Sequence, residues 1–190
     1  MKTLFSYIAM ACSFSGSVVY VISVLRGQAR PQRITWLLWT ILGAVYFLSA
    51  FRTQGNVIYT FASFISPLVT FLLALKFGVG GKSKLDIISL AIALFALALL
   101  FFTQGPLLSI LLCLFVDLIG AALTIRKVAD DRTSEPKLMW FLSACGGAFA
   151  LLGLHNYRLE NLLFPSYIVI LGIVMFMLVR SPRREERVAR

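Results

Sequence analysis

Leu107-Leu-Ser-Ile-Leu-Leu-Cys-Leu-Phe-Val-Asp117-Leu-Ile-Gly120-Ala-Ala-Leu-Thr124-Ile-Arg126-Lys127 is an apolar run with one acid near its middle and a basic pair at its end. A bilayer core roughly 30 Å thick takes about 20 mostly apolar residues of helix, and lysine or arginine marks where such a run meets water. Counted as Leu107 to Ile125, this run has six companions: Leu4 to Leu25, Ile34 to Phe51, Val57 to Leu75, Leu85 to Phe102, Leu138 to Leu154 and Leu162 to Val179. The connections are short, as in Thr103-Gln104-Gly105-Pro106, and leave no room for a soluble domain. Composition agrees, since 59 % apolar and 14 % charged residues with a mean hydropathy of +0.89 exclude an ordinary water-soluble domain. The expected fold is an all-α membrane protein of seven transmembrane helices.

An excess of 18 Lys plus Arg over 8 Asp plus Glu is also what nucleic-acid binding would require, but the distribution points to topology instead. Alternate connections hold Arg26, Arg30 and Arg33, then Lys76, Lys82 and Lys84, then Arg126, Lys127, Arg132 and Lys137, then the tail with Arg180, Arg183, Arg184, Arg187 and Arg190. The opposite set holds only Lys2, Arg52 and Arg158. Because lysine and arginine resist translocation, the basic side is cytoplasmic, and an odd number of spans puts the N-terminus outside. A signal peptide at Lys2 and Ala9-Met10-Ala11-Cys12 is the competing reading of the first run, which however continues to Leu25. Cys12, Cys113 and Cys145 all lie in apolar runs and read as small packing residues, with no disulfide framework.

Sliding the chain on itself by 104 residues sets Gly16 on Gly120, Val24 on Val128, Trp36 on Trp140, Leu38 on Leu142, Gly43 on Gly147, Ala44 on Ala148 and Leu48 on Leu152, with Arg33 meeting Lys137. A shift of 105 sets Asn56 on Asn161. The glycines and the tryptophan carry the weight, because they keep their spacing across a polar loop. The chain therefore divides into a first triple-helix repeat at 1–76, a linking helix at 77–106, a second triple-helix repeat at 107–180 and a basic tail at 181–190. A single linking helix gives both triplets the same orientation, so the arrangement is 3+1+3 with parallel repeats. Transporters with that symmetry place their solute path between the repeats.

The stretch Gly120-Ala-Ala-Leu-Thr124-Ile-Arg126-Lys127, followed by Ser134-Glu135 and Trp140, resembles the repeat of the SWEET and PQ-loop superfamily of seven-helix membrane transporters. The resemblance implies the 3+1+3 arrangement and an outward N-terminus. The family's helix-breaking proline falls where this chain has Val19-Tyr20 and Leu123-Thr124, while the literal Pro31-Gln32 lies further on, in the loop. Sugar-carrying members hold asparagines near the pocket, whereas Asn56 and Asn161 stand at the outer ends of their runs.

Asp117 is the most informative residue, because an ionised carboxylate in a bilayer is costly unless it faces water or a partner. Gly120, Ala121 and Thr124 follow it at helical spacing and make one small, polar face, and Ser13, Gly16 and Tyr20 make the matching face on the first run. Asp117 is expected to bind solute hydroxyls or a cation, or to carry a coupled proton; the plainer alternative is a structural carboxyl bonded to a neighbouring helix. Trp36, Trp39, Thr40, Gly43 and Phe47 share a face of the second run, and Trp140, Ser143, Ala144 and Gly147 share one on the sixth, which suits a solute that stacks against a ring. Trp36 and Trp140 also fit interfacial anchors, so Trp39 is the preferred pocket tryptophan. Ser66-Pro67 midway along the third run permits a bend, and Ser66 joins the candidate solute contacts. Pro165 reads as a helix start, Gly16, Gly43, Gly120, Gly146 and Gly147 as close-packing positions, and Asp86 as a carboxylate at a helix N-terminus.

The lone histidine, His155, rules out a histidine-based metal cluster, no nucleotide-binding loop is present, and no lysine follows Lys137 to hold retinal on the last helix. No enzyme activity, cofactor, metal or nucleic-acid partner is expected. The expected function is movement of a small polar, sugar-like solute by alternating access, as a uniporter or linked to protons, in a bacterial plasma membrane. The alternatives are a non-transporting receptor or sorting protein, and a vitamin carrier resembling nicotinamide riboside transporters. Expected partners are the solute and membrane lipid, with a homo-oligomer as an open alternative.

Overall fold

The computed structural model describes residues 1–53, 57–103, 105–154 and 156–180, the side chains of 46, 48–53, 57–60, 62, 63, 106 and 160 excepted. Asn56, His155 and the tail at 181–190 lie outside the described residues. Seven helices occupy the described chain: α1 Lys2–Leu25, α2 Arg33–Thr53, α3 Val57–Phe77, α4 Lys84–Leu100, α5 Pro106–Asp130, α6 Lys137–Leu152 and α7 Leu159–Leu178. Each apolar run therefore forms one helix, and the protein is all-helical.

The ends follow local chemistry. α1 stops where Gly27 takes a φ of +67°, a conformation that costs glycine nothing. α4 opens on a capping box in which the Ser83 side chain accepts from the Asp86 backbone N–H and the Asp86 carboxylate accepts from the Ser83 N–H. α5 begins with a proline in its first turn, where the missing N–H is not needed. Among the boundaries that differ from the sequence expectation, two change how a residue reads. α5 continues to Asp130, so Arg126 and Lys127 stand on its last turns rather than in a loop, because a helix can run on past the point where hydropathy falls. α7 begins at Leu159, so Pro165 is interior to the helix and not its start.

One end of the bundle gathers three connections and the end of α7. Arg30 N donates to Ser134 O at 2.9 Å, Val79 N donates to Pro31 O at 2.9 Å, and Arg180 N donates to Arg132 O at 2.8 Å. Hence α1, α3, α5 and α7 run towards that end and α2, α4 and α6 run away from it. At the other end the Lys2 ammonium lies 5.3 Å from the centre of the Tyr157 ring. α1 packs on α3 and α6; α2 packs on α3, α4 and α5; α7 packs on α5 and α6; and α4 packs on α5.

Three helical segments are long and apolar enough to cross a membrane: Lys2–Leu25, Leu107–Asp130 and Asn161–Leu178. Shorter apolar segments are Arg33–Val45, Phe64–Phe77 and Lys137–Leu152. Large apolar side chains such as Phe14, Leu72, Phe95, Leu118 and Ile170 point outward, a surface suited to lipid rather than water. The interior holds two clusters. One packs Tyr20, Trp36, Trp140, Met175 and Val179 near the gathered connections, and the other packs Leu38, Leu42, Ala93, Leu97 and Val116 between α2, α4 and α5.

Candidate functional site

Asp117 stands near the middle of α5 and is 8 % exposed. Its Oδ1 accepts two hydrogen bonds, from Trp39 Nε1 of α2 at 2.8 Å and from Tyr167 Oη of α7 at 2.8 Å. Oδ2 accepts none from the described residues. The described residues contain one ion pair, between Lys127 and Glu135, so no cation among them compensates Asp117. Two neutral donors offset only part of the cost of burying a carboxylate, which leaves one oxygen able to take a proton, a cation or a donor group.

Residues C-terminal to Asp117 let α2 approach. A Cβ added at Gly120 would lie 3.3 Å from Trp39 Nε1 and 3.4 Å from Thr35 Cγ2, so the bare glycine backbone is what admits the indole beside Asp117. Thr35 Oγ1 donates to Gly120 O at 2.6 Å, and Thr124 Oγ1 donates to Thr35 Oγ1 at 3.0 Å. Ala121 is buried in the same face. The expected small, polar face of α5 is thus buried against α2.

The matching glycine makes the matching crossing. A Cβ at Gly16 would lie 3.4 Å from Met139 O and 3.5 Å from Leu142 Cβ on α6. Met139 stands 104 residues after Thr35, the offset that also relates Gly16 to Gly120.

A second acid lies closer to the gathered connections. Glu135, 2 % exposed, accepts from Tyr20 Oη at 2.8 Å and from Trp140 Nε1 at 3.2 Å, and it pairs with Lys127. Trp36 Nε1 donates to Tyr20 Oη at 3.2 Å. Aromatic rings join the two acids: Tyr20 and Trp36 have centroids 4.7 Å apart, Trp36 and Trp39 5.0 Å, and Trp39 and Trp140 6.3 Å.

Of the residues singled out in the sequence, Asp117, Trp39, Trp36, Tyr20, Trp140 and Thr124 come together in this region. Trp36 and Trp140 are buried in the bundle at 5 % and 3 % exposure, which corrects the anchor reading, because neither ring reaches the outer surface. The serines do not join. Ser13 is exposed and its Oγ lies against Gly146 of α6. The Ser66 carbonyl accepts the Thr70 hydroxyl within α3, and Ser143 makes no described bond to either acid. Thr40 Oγ1 donates back to Trp36 O within its own helix. Gly43 is buried, a Cβ at Gly147 would meet Val169 Cγ2 of α7 at 2.9 Å, and Pro67 sits inside an unbroken α3. Asn161 is exposed and bonds to Asn156 O.

Tyr167, Thr35, Glu135 and Lys127 belong to the site but were not among the sequence candidates. A phenol midway along an apolar helix needs a polar partner, a signal that could have singled out Tyr167. Glu135 appeared only as part of the family-like stretch. Asp86 keeps its structural role and also accepts Gln32 Nε2 at 2.9 Å, which ties the α1–α2 connection to α4.

Comparison with known proteins finds no matching family model, no matching curated protein and no matching solved structure. Fold and site together define a helical bundle with apolar helices compatible with an integral membrane protein, and an acid buried at mid-helix with no counter-cation among the described residues.

Proposed function

We propose that the chain is a transporter of the SWEET and PQ-loop type, which moves a small polar, sugar-like solute by alternating access, as a uniporter or linked to protons. In this reading seven spans form two parallel triplets, α1–α3 and α5–α7, joined by α4, with the N-terminus outside and the basic end in the cytoplasm of a bacterium. The packing supports it. Exchanging α1 with α5, α2 with α6 and α3 with α7 turns the neighbours α1–α3, α2–α3 and α1–α6 into α5–α7, α6–α7 and α2–α5, all of which are also neighbours. Gly16 and Gly120 occupy equivalent places at the α1–α6 and α2–α5 crossings, as a two-fold axis along the membrane normal requires.

The observation that carries the proposal is Asp117, buried, without a counter-cation among the described residues, and bonded to α2 of one triplet and α7 of the other. A structural carboxyl serves best when both oxygens are satisfied, whereas among the described residues Asp117 Oδ2 has no hydrogen-bond partner, which suits a solute donor or a transferable proton. The Trp39 ring bonded to Asp117 and the Trp36 ring, 5.0 Å from Trp39 between centroids, also favour a flat heteroaromatic vitamin such as nicotinamide riboside as a second solute class.

Counterflow into proteoliposomes with radiolabelled hexoses, polyols and nicotinamide riboside tests this. At least one probe is expected to enter, and Asp117→Asn is expected to lower its uptake about tenfold or more, as loss of a charged hydrogen-bond acceptor implies. Saturable binding without flux identifies a receptor instead, and uptake unaffected by Asp117→Asn removes the acid from the mechanism.

A further inference from the structure

An open cleft of ≈ 310 Å³ lies at the end of the bundle where the α1–α2, α3–α4 and α5–α6 connections meet, a volume at the small end of ligand clefts. Arg30 and Gln32 line it from the first triplet, Asp86 from α4, and Arg126, Lys127 and Ser134 from the second triplet. Ser134 Oγ is the one fully buried side-chain polar atom among the described residues that has no hydrogen-bond partner. Buried hydroxyls are nearly always paired, so Ser134 Oγ is an unmet polar group just beneath the cleft wall. Arg30 and Arg126 are exposed there, and no described hydrogen bond or ion pair engages either guanidinium.

The inner wall of this cleft consists of bonds that cross between the triplets. Arg30 N donates to Ser134 O at 2.9 Å, and Lys127 Nζ donates to Arg30 O at 2.6 Å. The same ammonium pairs with Glu135, whose carboxylate accepts from Tyr20 on α1. Directly behind lie Trp36 and Trp140, then Trp39 and Asp117. These bonds stand between the cleft and the rings and acid behind it, and those between Arg30 and Ser134, Lys127 and Arg30, and Tyr20 and Glu135 join the first triplet to the second.

We propose that the cleft is the mouth of the solute route on the basic side, and that the Lys127–Glu135–Tyr20 bridge is its inner gate, closed in this structure. Glu135 thereby acts as a positioning residue: it touches no solute, but its bonds to Tyr20 and Lys127 set whether the seam is open on this side. The inference rests on the transport reading, but its test needs no solute.

In a chain with Cys12, Cys113 and Cys145 replaced by serine or alanine, a single reporter cysteine is placed at Thr124, which is 2 % exposed behind the gate, or at Arg126 in the cleft. A membrane-impermeant charged thiosulfonate is applied to the basic side of inside-out vesicles. The cleft reporter is expected to react in every background. The Thr124→Cys reporter is expected to be protected in the parent and to react about tenfold or more faster when Glu135→Gln or Tyr20→Phe removes a bond to a charged group. Tyr20→Phe keeps the ring and its packing, so it serves even where Glu135→Gln folds poorly. Equal protection of Thr124→Cys in parent and Tyr20→Phe, with the cleft reporter still reactive, overturns the gate. So does a Thr124→Cys reporter as reactive as the cleft reporter in the parent. Since labelling is read without solute, loss of uptake in Asp117→Asn and opening of the gate succeed or fail separately.

Discussion

Two acids in the same bundle are held by the same kinds of donor but are built for different work. Among the described residues Asp117 takes one indole N–H and one phenol O–H, from Trp39 and Tyr167, and no more. Glu135 also takes one indole N–H and one phenol O–H, from Trp140 and Tyr20, and then adds the Lys127 ammonium. The third partner changes the physics. A compensated carboxylate among full bonding partners is a lock, since removing any partner strands a buried charge. An uncompensated one with a spare oxygen is a place where charge or a donor can be added. The location agrees: the lock joins connections at one end, and the spare oxygen stands at mid-helix on α5.

Breaking the lock should give the largest effect. Lys127→Ala leaves Glu135 buried without its cation and is expected to cost about 3 to 5 kcal/mol, read as a fall in the unfolding midpoint of purified protein in detergent. A change under about 1 kcal/mol would mean that Glu135 is no better compensated than Asp117, and the contrast would disappear. Next come the phenols. Tyr20→Phe and Tyr167→Phe each remove one donor from a carboxylate, worth about 1.5 to 3 kcal/mol. Tyr20→Phe is expected to fall at the upper end, because it also leaves the buried Trp36 Nε1–H without its acceptor, whereas Tyr167→Phe removes a single bond. Asp117→Asn should be mild for stability, within about 1 kcal/mol, since the amide oxygen still accepts from Trp39 and Tyr167. A severe loss of stability together with unchanged uptake would make Asp117 a structural carboxyl like Glu135.

Much of this was legible along the chain. Seven hydropathy runs located seven helices, because burying unpaired backbone in an apolar setting leaves the helix as the available solution. Asp117 announced itself as one acid in an apolar run, and its helical face of Gly120, Ala121 and Thr124 followed from spacing alone. Where the helix outlasts the hydropathy, the reading stopped early: Arg126 and Lys127 are polar yet helical, and from that last stretch of α5 Lys127 reaches Glu135. The lock was illegible for a related reason. Tyr20 and Glu135 are 115 residues apart, and no local pattern says which of several acids near a basic loop will be buried. The serines failed in the opposite way, since Ser13 has the right spacing to Gly16 and Tyr20 but lies at the margin of the α1–α6 contact. Spacing defines a face, and the width of that face depends on how closely the next helix approaches.

That dependence yields the smallest and most pointed prediction. Gly16→Ala and Gly120→Ala are the same substitution at equivalent crossings, and in each helix alanine brings up to about 1 kcal/mol of added helix propensity. At Gly16 the new methyl meets a backbone carbonyl at 3.4 Å and an aliphatic Cβ at 3.5 Å, near ordinary contact, so stability should hold or rise slightly. At Gly120 it meets Trp39 Nε1 at 3.3 Å, the atom that donates to Asp117 at 2.8 Å. The indole must give by a few tenths of an ångström, and that displacement falls on the bond that orients the acid. Both variants are therefore expected to unfold within about 1 kcal/mol of the parent, while Gly120→Ala lowers uptake and Gly16→Ala does not. Equal uptake in the two variants would mean that the placement of Trp39 over Gly120 is packing alone, and that the acid at mid-helix works without its indole.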